Sequence, residues 1–273
     1  MGRYQDKVVW VTGASSGFGL ELAKAFAREG ATLVLSARRE KNLRELERQL
    51  GQKPVLVVPL DITDEASVIT AVEKVLKKYE RIDVLCNNAG LSQRSLAQET
   101  ELKVYRQLMD TNFFGAVALT QALLPTFLKQ RAGHIVVTSS VVGKFGAPLR
   151  SGYAAAKHAL HGYFDSLRLE LAAYHIKVTL VVLGSVNTEI SRVALKGDGS
   201  PYGAMDLMQA QGPPAQELVG EVIDGLIEGK RELIVGKGLE IAGLEIMRQD
   251  PDKFHEMALA VSRKQISDHT GAQ

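Results

Sequence analysis

The chain has 273 residues, 45% of them apolar, and its 33 basic residues against 31 acidic ones leave a net charge of +2. That length suits one large α/β domain or two small ones, and the balanced charge gives no field that would select nucleic acid or an anionic membrane over small ligands. The single cysteine, Cys86, excludes an intrachain disulfide; the opening MGRYQDK carries no secretory apolar region and no later run reaches the ~18 apolar residues of a membrane span, so a soluble, cytoplasmic protein is expected.

The first predicted strand is VVWVT at 8–12, a β-branched run that flows into TGASSGFG at 12–19 and then into a helical pattern near 17–29. Gly13, Gly17 and Gly19 thus stand in a strand-to-helix turn. There, Gly13 allows a tight turn, Gly17 lets the backbone approach a pyrophosphate, and Gly19 lets helix and sheet pack closely, while the helix N-terminus offers free N–H groups. Ser15, Ser16 and Phe18 lie between them and share the expected cofactor contacts. The second strand, TLVLS at 32–36, is followed by Ala37-Arg38-Arg39. An acidic residue at this place would hold a ribose 2′-hydroxyl; two guanidinium groups suit a 2′-phosphate, which points to NADP(H).

A helix near 39–50, a strand VLVVP at 55–59, a helix near 64–79 and a strand IDVLC at 82–86 come next, followed by the turn sequence Asn87-Asn88-Ala89-Gly90. A long helical pattern covers 102–130. The fifth strand, HIVVTS at 134–139, ends at Ser140, whose hydroxyl can donate to a carbonyl oxygen. The helix near 152–174 then sets Tyr153 and Lys157 on one face. A phenol is a poor acid–base near neutrality, and a neighbouring ammonium stabilises its phenolate. VTLVVL at 178–183, a helix near 215–228 and ELIV at 232–235 complete the alternation. Six or seven βα units imply an α/β fold, a Rossmann-like doubly wound parallel sheet of about seven strands with helices on both faces, in a single domain over 1–273.

The weakly patterned, glycine- and proline-rich stretch 189–214 reads as a mobile lid over the substrate. Met205, Leu207 and Met208 in it, with Leu149 in the loop Gly146-Ala147-Pro148-Leu149, either line an apolar pocket or anchor the lid. Residues 238–273 form a C-terminal extension, in which Phe254, Met257, Ala258 and Val261 make an apolar stripe suited to packing on the body, a subunit or the lid. His158 and His161 lie three apart without a third ligand, so no metal is expected.

TGASSGFG, Asn87-Asn88-Ala89-Gly90, Asn112, Ser140 and Tyr153-x-x-x-Lys157 occur in the order and spacing of the short-chain dehydrogenase/reductase family, which the chain resembles from about residue 5 to 235. The subgroup it most resembles includes lipid- and steroid-associated members, although the N-terminal anchor of those members is not expected here. The resemblance implies Tyr153 as proton donor or acceptor, Ser140 as binder of the reacting oxygen, and Lys157 as the group that lowers the tyrosine pKa and holds the nicotinamide ribose. It further implies that Asn112 anchors a proton-relaying water, that Asp61 and Ile62 frame adenine, that Asn88, Ala89 and Gly90 line the cofactor, and that Val186 and Thr188 hold its carboxamide and phosphate. One departure is Leu183-Gly184, where the family commonly has Pro-Gly. The function so implied is NADP(H)-dependent hydride transfer between nicotinamide and a carbonyl or secondary alcohol of a hydrophobic small molecule, by a homodimer or homotetramer. Two other readings stay open: a non-catalytic NADP(H)-binding sensor or scaffold, and an NAD-dependent alcohol dehydrogenase.

Overall fold

The computed structural model describes residues 2–271; Met1, Ala272 and Gln273, at the ends of the expected 1–273 domain, lie outside the described residues. The seven β-branched runs form β1 (Val8–Thr12), β2 (Thr32–Ser36), β3 (Val55–Val57), β4 (Val84–Asn87), β5 (Gly133–Ser140), β6 (Ile176–Leu183) and β7 (Glu232–Val235). They make one sheet in the order β3-β2-β1-β4-β5-β6-β7, and every neighbouring pair is parallel. Strands buried on both faces carry continuous rather than alternating apolar residues, which is why these segments read so plainly.

Helices cover both faces. On one, α1 (Gly17–Arg28), α2 (Glu40–Leu50) and α8 (Ala215–Ile227) bury Leu22, Phe26, Leu43, Leu46, Val222 and Ile223 against Val9, Val11 and Leu33. On the other, α3 (Glu65–Tyr79), α5 (Gly115–Gln130) and α6 (Ser151–Leu171) enclose Trp10, Leu85, Ile135, Leu119, Phe127 and Phe164. The indole N–H of the fully buried Trp10 donates to Ser36 Oγ at 2.9 Å, so its polar edge is satisfied.

Three expectations need correction. The helix predicted over 102–130 is α4 (Leu102–Met109), one π-helical turn over Asp110–Phe114, and then α5, so a wider turn interrupts the regular pattern. This Leu102–Gln130 run is also long and apolar enough by composition to cross a membrane, although no run of uninterrupted apolar residues marks it in the sequence. Its apolarity has a local explanation, since Leu108, Leu119, Leu123 and Phe127 are fully buried in the protein core. The weakly patterned stretch 189–214, expected as a loop, contains the short helix α7 (Leu207–Gln211), and the extension folds into α9 (Leu239–Gln249) and α10 (Pro251–Thr270).

Candidate active site

The sheet order reverses between β1 and β4, and the loops leaving those strands' C-terminal ends bound a crevice of the kind where open α/β sheets bind ligands. Gly13 (φ 66°) and Gly17 (φ 57°) both adopt left-handed backbone. Gly13 and Gly19 also admit close neighbours: a Cβ on Gly13 would stand 2.9 Å from Ala89 Cα, and one on Gly19 would stand 2.2 Å from Asn88 Nδ2. The glycine turn and the turn after β4 are tied by Thr12, whose Oγ1 accepts from the backbone N–H of Asn88 at 2.9 Å and Ala89 at 3.1 Å. Asn88 Nδ2 returns a bond to Thr12 O at 3.0 Å. Ser15, Ser16, Phe18 and Gly90 line the same crevice, and Ser16, preceding α1, makes no side-chain cap.

At the end of β2, Arg38 and Arg39 are exposed on the crevice rim. Arg39 Nη2 donates to Ser15 Oγ at 3.2 Å and Ser16 Oγ at 3.0 Å, which aims the guanidinium at the glycine turn. Asp61 Oδ1 accepts from Thr63 N and Oγ1 at 3.0 and 2.7 Å. Burial opposes its ionisation, but those bonds and the charge of Arg38 outweigh it and hold the carboxyl below its usual range. Ile62 lines the crevice beside Asp61, and Val186 and Thr188 close the opposite side, with Thr188 facing Gly17.

Where the expected Pro-Gly is replaced, the turn after β6 is held by α9 instead. The Ser185 N–H donates to Glu240 Oε1 at 2.5 Å, and Asn187 N donates to Pro213 O at 3.0 Å.

Ser140 at the end of β5 and Tyr153 and Lys157 on α6 converge on this cavity. Lys157 is buried; its Nζ donates to Thr138 O at 2.8 Å and lies 5.6 Å from the Tyr153 ring centroid. Burial lowers the Lys157 ammonium to about 8. Burial also raises the Tyr153 phenol, opposed by the charge of Arg150, a hydrogen bond with Ser140 and the charge of Arg94. Two arginines thus add their charge to that of Lys157, the cation the resemblance implies for the phenol, whose ammonium stands over the same ring. Asn112 occupies the π-helical turn, a device often found at functional sites. Its Oδ1 accepts from Leu91 N at 3.0 Å, and its Nδ2 donates to Leu91 O and Leu108 O, each at 2.9 Å. Most of its amide thus pins the loop after Gly90 to the helix, leaving chiefly Oδ1 for a water.

Four residues join the site that the sequence reading did not single out. Gln93 is fully buried, and its Oε1 accepts from the N–H of Gly152 at 2.8 Å and Tyr153 at 3.3 Å, capping the first turn of α6. Arg94, also buried, donates from Nε to Asp206 Oδ2 at 3.0 Å, from Nη1 to Ser92 Oγ and Gln93 O, and from Nη2 to Gln209 Oε1. Arg150 Nη2 meets the same Asp206 oxygen at 3.1 Å. Asp206 Oδ1 caps α7 by accepting from Met208 N and Gln209 N. The visible signal for Gln93 and Arg94 was the polar run Ser92-Gln93-Arg94-Ser95, which begins two residues after Gly90 of the β4 turn.

The cavity has a volume of about 1130 Å³ and runs from the glycine turn past Tyr153 to a wall formed by Phe145, Met208, Phe254, Met257 and Val261. Val261 and Met257 lie on α10, so the C-terminal stripe packs over the cavity. Phe145 and Phe254 meet at a tilt of 59° with centroids 5.1 Å apart, and Gln265 Nε2 donates to Met208 Sδ at 3.2 Å. Met208 lines the cavity, whereas Leu207 is largely exposed. Among the described residues no cluster of three or more His, Cys, Asp or Glu side chains suits a metal ion. His161 instead meets Ser139 Oγ at 2.9 Å.

A model of the short chain dehydrogenase family matches residues 7–198. Dehydrogenase/reductase SDR family member 7B of Xenopus tropicalis is 41% identical over 270 residues, spanning 96% of this chain and 87% of that protein. Among solved structures, an alcohol dehydrogenase from Thermococcus sibiricus, complexed with 5-hydroxy-NADP, superimposes with a TM-score of 0.72 at 26% identity, covering 84% of this chain and 96% of that one. A short chain dehydrogenase/reductase from Burkholderia phymatum in complex with NAD gives a TM-score of 0.77 at 24% identity over 86% of this chain and 90% of that one.

Proposed function

The chain belongs to the short chain dehydrogenase family, and from that premise we propose that it is an NADP(H)-dependent oxidoreductase interconverting a carbonyl group and a secondary alcohol on a substrate with apolar bulk. One observation carries the reading furthest: Ser140, Tyr153 and Lys157, from β5 and α6, line a single cavity with the glycine turn. The residues present fit a nicotinamide dinucleotide, since Cβ atoms at Gly13 and Gly19 would fill the cradle, and the buried Lys157 ammonium has Thr138 O as its hydrogen-bond partner, leaving donors for a ribose. When bound, that cofactor supplies the hydride.

The chain's own groups do the rest. Ser140 orients the reacting oxygen, and Tyr153 gives it a proton in reduction or takes one in oxidation. Gln93 holds the first turn of the helix that carries Tyr153, and Arg150 and Arg94 favour the phenolate. NADP(H) rather than NAD(H) rests on Arg38 and Arg39, because the related structures were solved with both kinds of cofactor. Segment 189–214 is the lid, and Phe145, Met208, Met257 and Val261 exclude water around the reacting carbon. A homodimer is supported by Leu102, Phe114 and Leu169, large apolar side chains exposed on α4, the π-helical turn and α6.

A screen of NADPH oxidation over ketones of graded size tests this. Bulky ketones should outperform acetone-sized ones, and Tyr153→Phe should lose roughly 10²–10⁴-fold in turnover while still binding NADPH. Unchanged turnover in that variant would remove Tyr153 from the reaction. Arg38→Asp should weaken or reverse the preference for NADPH over NADH; equal affinities in the unmodified protein would remove the cofactor assignment.

A further inference from the structure

The cavity wall is mostly apolar, yet at the catalytic end it includes two cations, Arg94 and Arg150, paired with a single carboxylate that does not itself line it. Arg94 and Arg150 share one carboxylate, Asp206, through the same oxygen. Asp206 stays ionised there: although burial pushes its pKa up, the two guanidinium groups and the α7 N–H groups hold it below the usual carboxylate range. Two cations against one anion leave one positive charge in a space largely screened from water.

The two arginines are not equivalent. Arg94 is spent on structure, with four of its five N–H groups donated to Asp206, Ser92, Gln93 and Gln209. Arg150 gives a single N–H to Asp206, lies three residues before Tyr153, and lines the cavity with a side chain 17% exposed. Its remaining donors face a cavity whose other wall is Phe145, Met208, Met257 and Val261. A planar guanidinium with unused donors recognises oxyanions by paired, charge-assisted hydrogen bonds, and a partly desolvated cation without full compensation is costly unless a ligand completes it.

We propose that Arg150 is the anchor for an oxyanion on the substrate, so that the natural substrate is an acidic amphiphile: a carbonyl compound carrying a carboxylate or phosphate ester near the reacting carbon and an apolar tail along α10. Asp206 sets the geometry by holding one edge of Arg150 from the lid, and Arg94 fixes Asp206. This inference deepens the oxidoreductase reading and rests on it for the carbonyl, but not for the anion.

The test compares long-chain keto acids, the matching keto phosphate esters, and the neutral methyl esters of the acids, with the spacing between ketone and acid varied. At the best spacing, kcat/KM for an acid should exceed that of its neutral ester by about 10–100-fold, mainly through KM, and the advantage should shrink with added salt. Preference between carboxylate and phosphate arms identifies which oxyanion fits. Arg150→Met should bring the acid-to-ester ratio close to one, and Arg150→Lys should retain part of it. A ratio near one in the unmodified protein, or an unchanged ratio in Arg150→Met, would overturn the proposal. Calorimetric binding of a long-chain alkyl carboxylate to the full chain needs no turnover: binding that Arg150→Met weakens supports the anchor even if no ketone reacts, and absence of binding overturns it. Turnover of neutral ketones without acid preference would sink the anchor alone, whereas carboxylate binding without any ketone turnover would sink the oxidoreductase reading alone.

Discussion

Gln93 does for Tyr153 what a cap residue does for an ordinary helix, but from a distant loop. Its Oε1 receives the N–H groups of Gly152 and Tyr153, and its Nε2 donates to Ser95 Oγ at 3.1 Å and Thr100 Oγ1 at 3.2 Å. A buried amide with each function used fixes the start of α6 in angle as well as position. Gln93→Met removes the acceptor at similar length and leaves two N–H groups without a partner. We expect kcat to fall about 10-fold or more with a smaller change in the NADPH dissociation constant, because a small displacement of the phenol costs rate before it costs binding. A uniform loss in both would mark Gln93 as a folding residue only. Sequence reasoning reached Tyr153 and Lys157 through their helical spacing, whereas for Gln93 and Arg94 it had only the polar run after the β4 turn, and for Arg150 and Asp206 no signal. Their partners are separated by 59, 112 and 56 positions, and no local period joins such residues. A lone arginine in a sequence also reads as surface, whereas Arg94 is only 2% exposed.

At the scale of elements, the strands were legible because parallel strands buried on both faces must be apolar without alternation. The π-helical turn was not, since one extra residue in a turn leaves the apolar spacing of 102–130 nearly intact while rotating Asn112 onto Leu91. Nor was α9, which lies within the stretch read as one undivided extension and whose apolar residues follow no single helical face. That helix carries the compensation for Leu183. A proline would have stiffened the turn after β6 through its own ring; here Glu240 reaches back from α9 to the Ser185 N–H. Glu240→Ala should free the turn that bears Val186 and Thr188 and weaken NADPH binding by roughly 10-fold, the scale of one charge-assisted hydrogen bond. Fluorescence titration reads this directly, and an unaltered dissociation constant would mean that the turn holds itself.

For the whole molecule, strand β5 is stitched to its surroundings by two buried imidazoles. His134 Nε2 pairs with Thr179 Oγ1 of β6 at 2.8 Å, and His161 of α6 pairs with Ser139 Oγ at 2.9 Å. Burial, with Lys177 nearby, lowers His134 to about 4. His161 is lowered to about 4 as well, by burial and Lys144, although Glu232 and Asp165 pull the other way and His158 adds to the lowering. Both rings are thus neutral in the folded protein at pH 7, and the unfolded chain, with an ordinary histidine value near 6.5, takes up protons first as pH falls. The stabilisation is complete above about pH 6.5, declines between 6.5 and 4, and changes no further from these groups below 4. Each shift of about 2.5 units corresponds to roughly 3 kcal/mol when fully expressed, at 1.36 kcal/mol per unit. Because β5 carries Ser140 and pairs with β4 and β6, the loss is felt by the whole sheet rather than by a loop. We expect the urea midpoint to drop steeply over that pH interval, and His134→Gln, whose amide still reaches Thr179, to lower stability at pH 7 but flatten the slope. A midpoint equally steep in His134→Gln and in His161→Gln would show that acid sensitivity arises elsewhere, in the carboxylates that hold Arg94, Arg150 and Lys144.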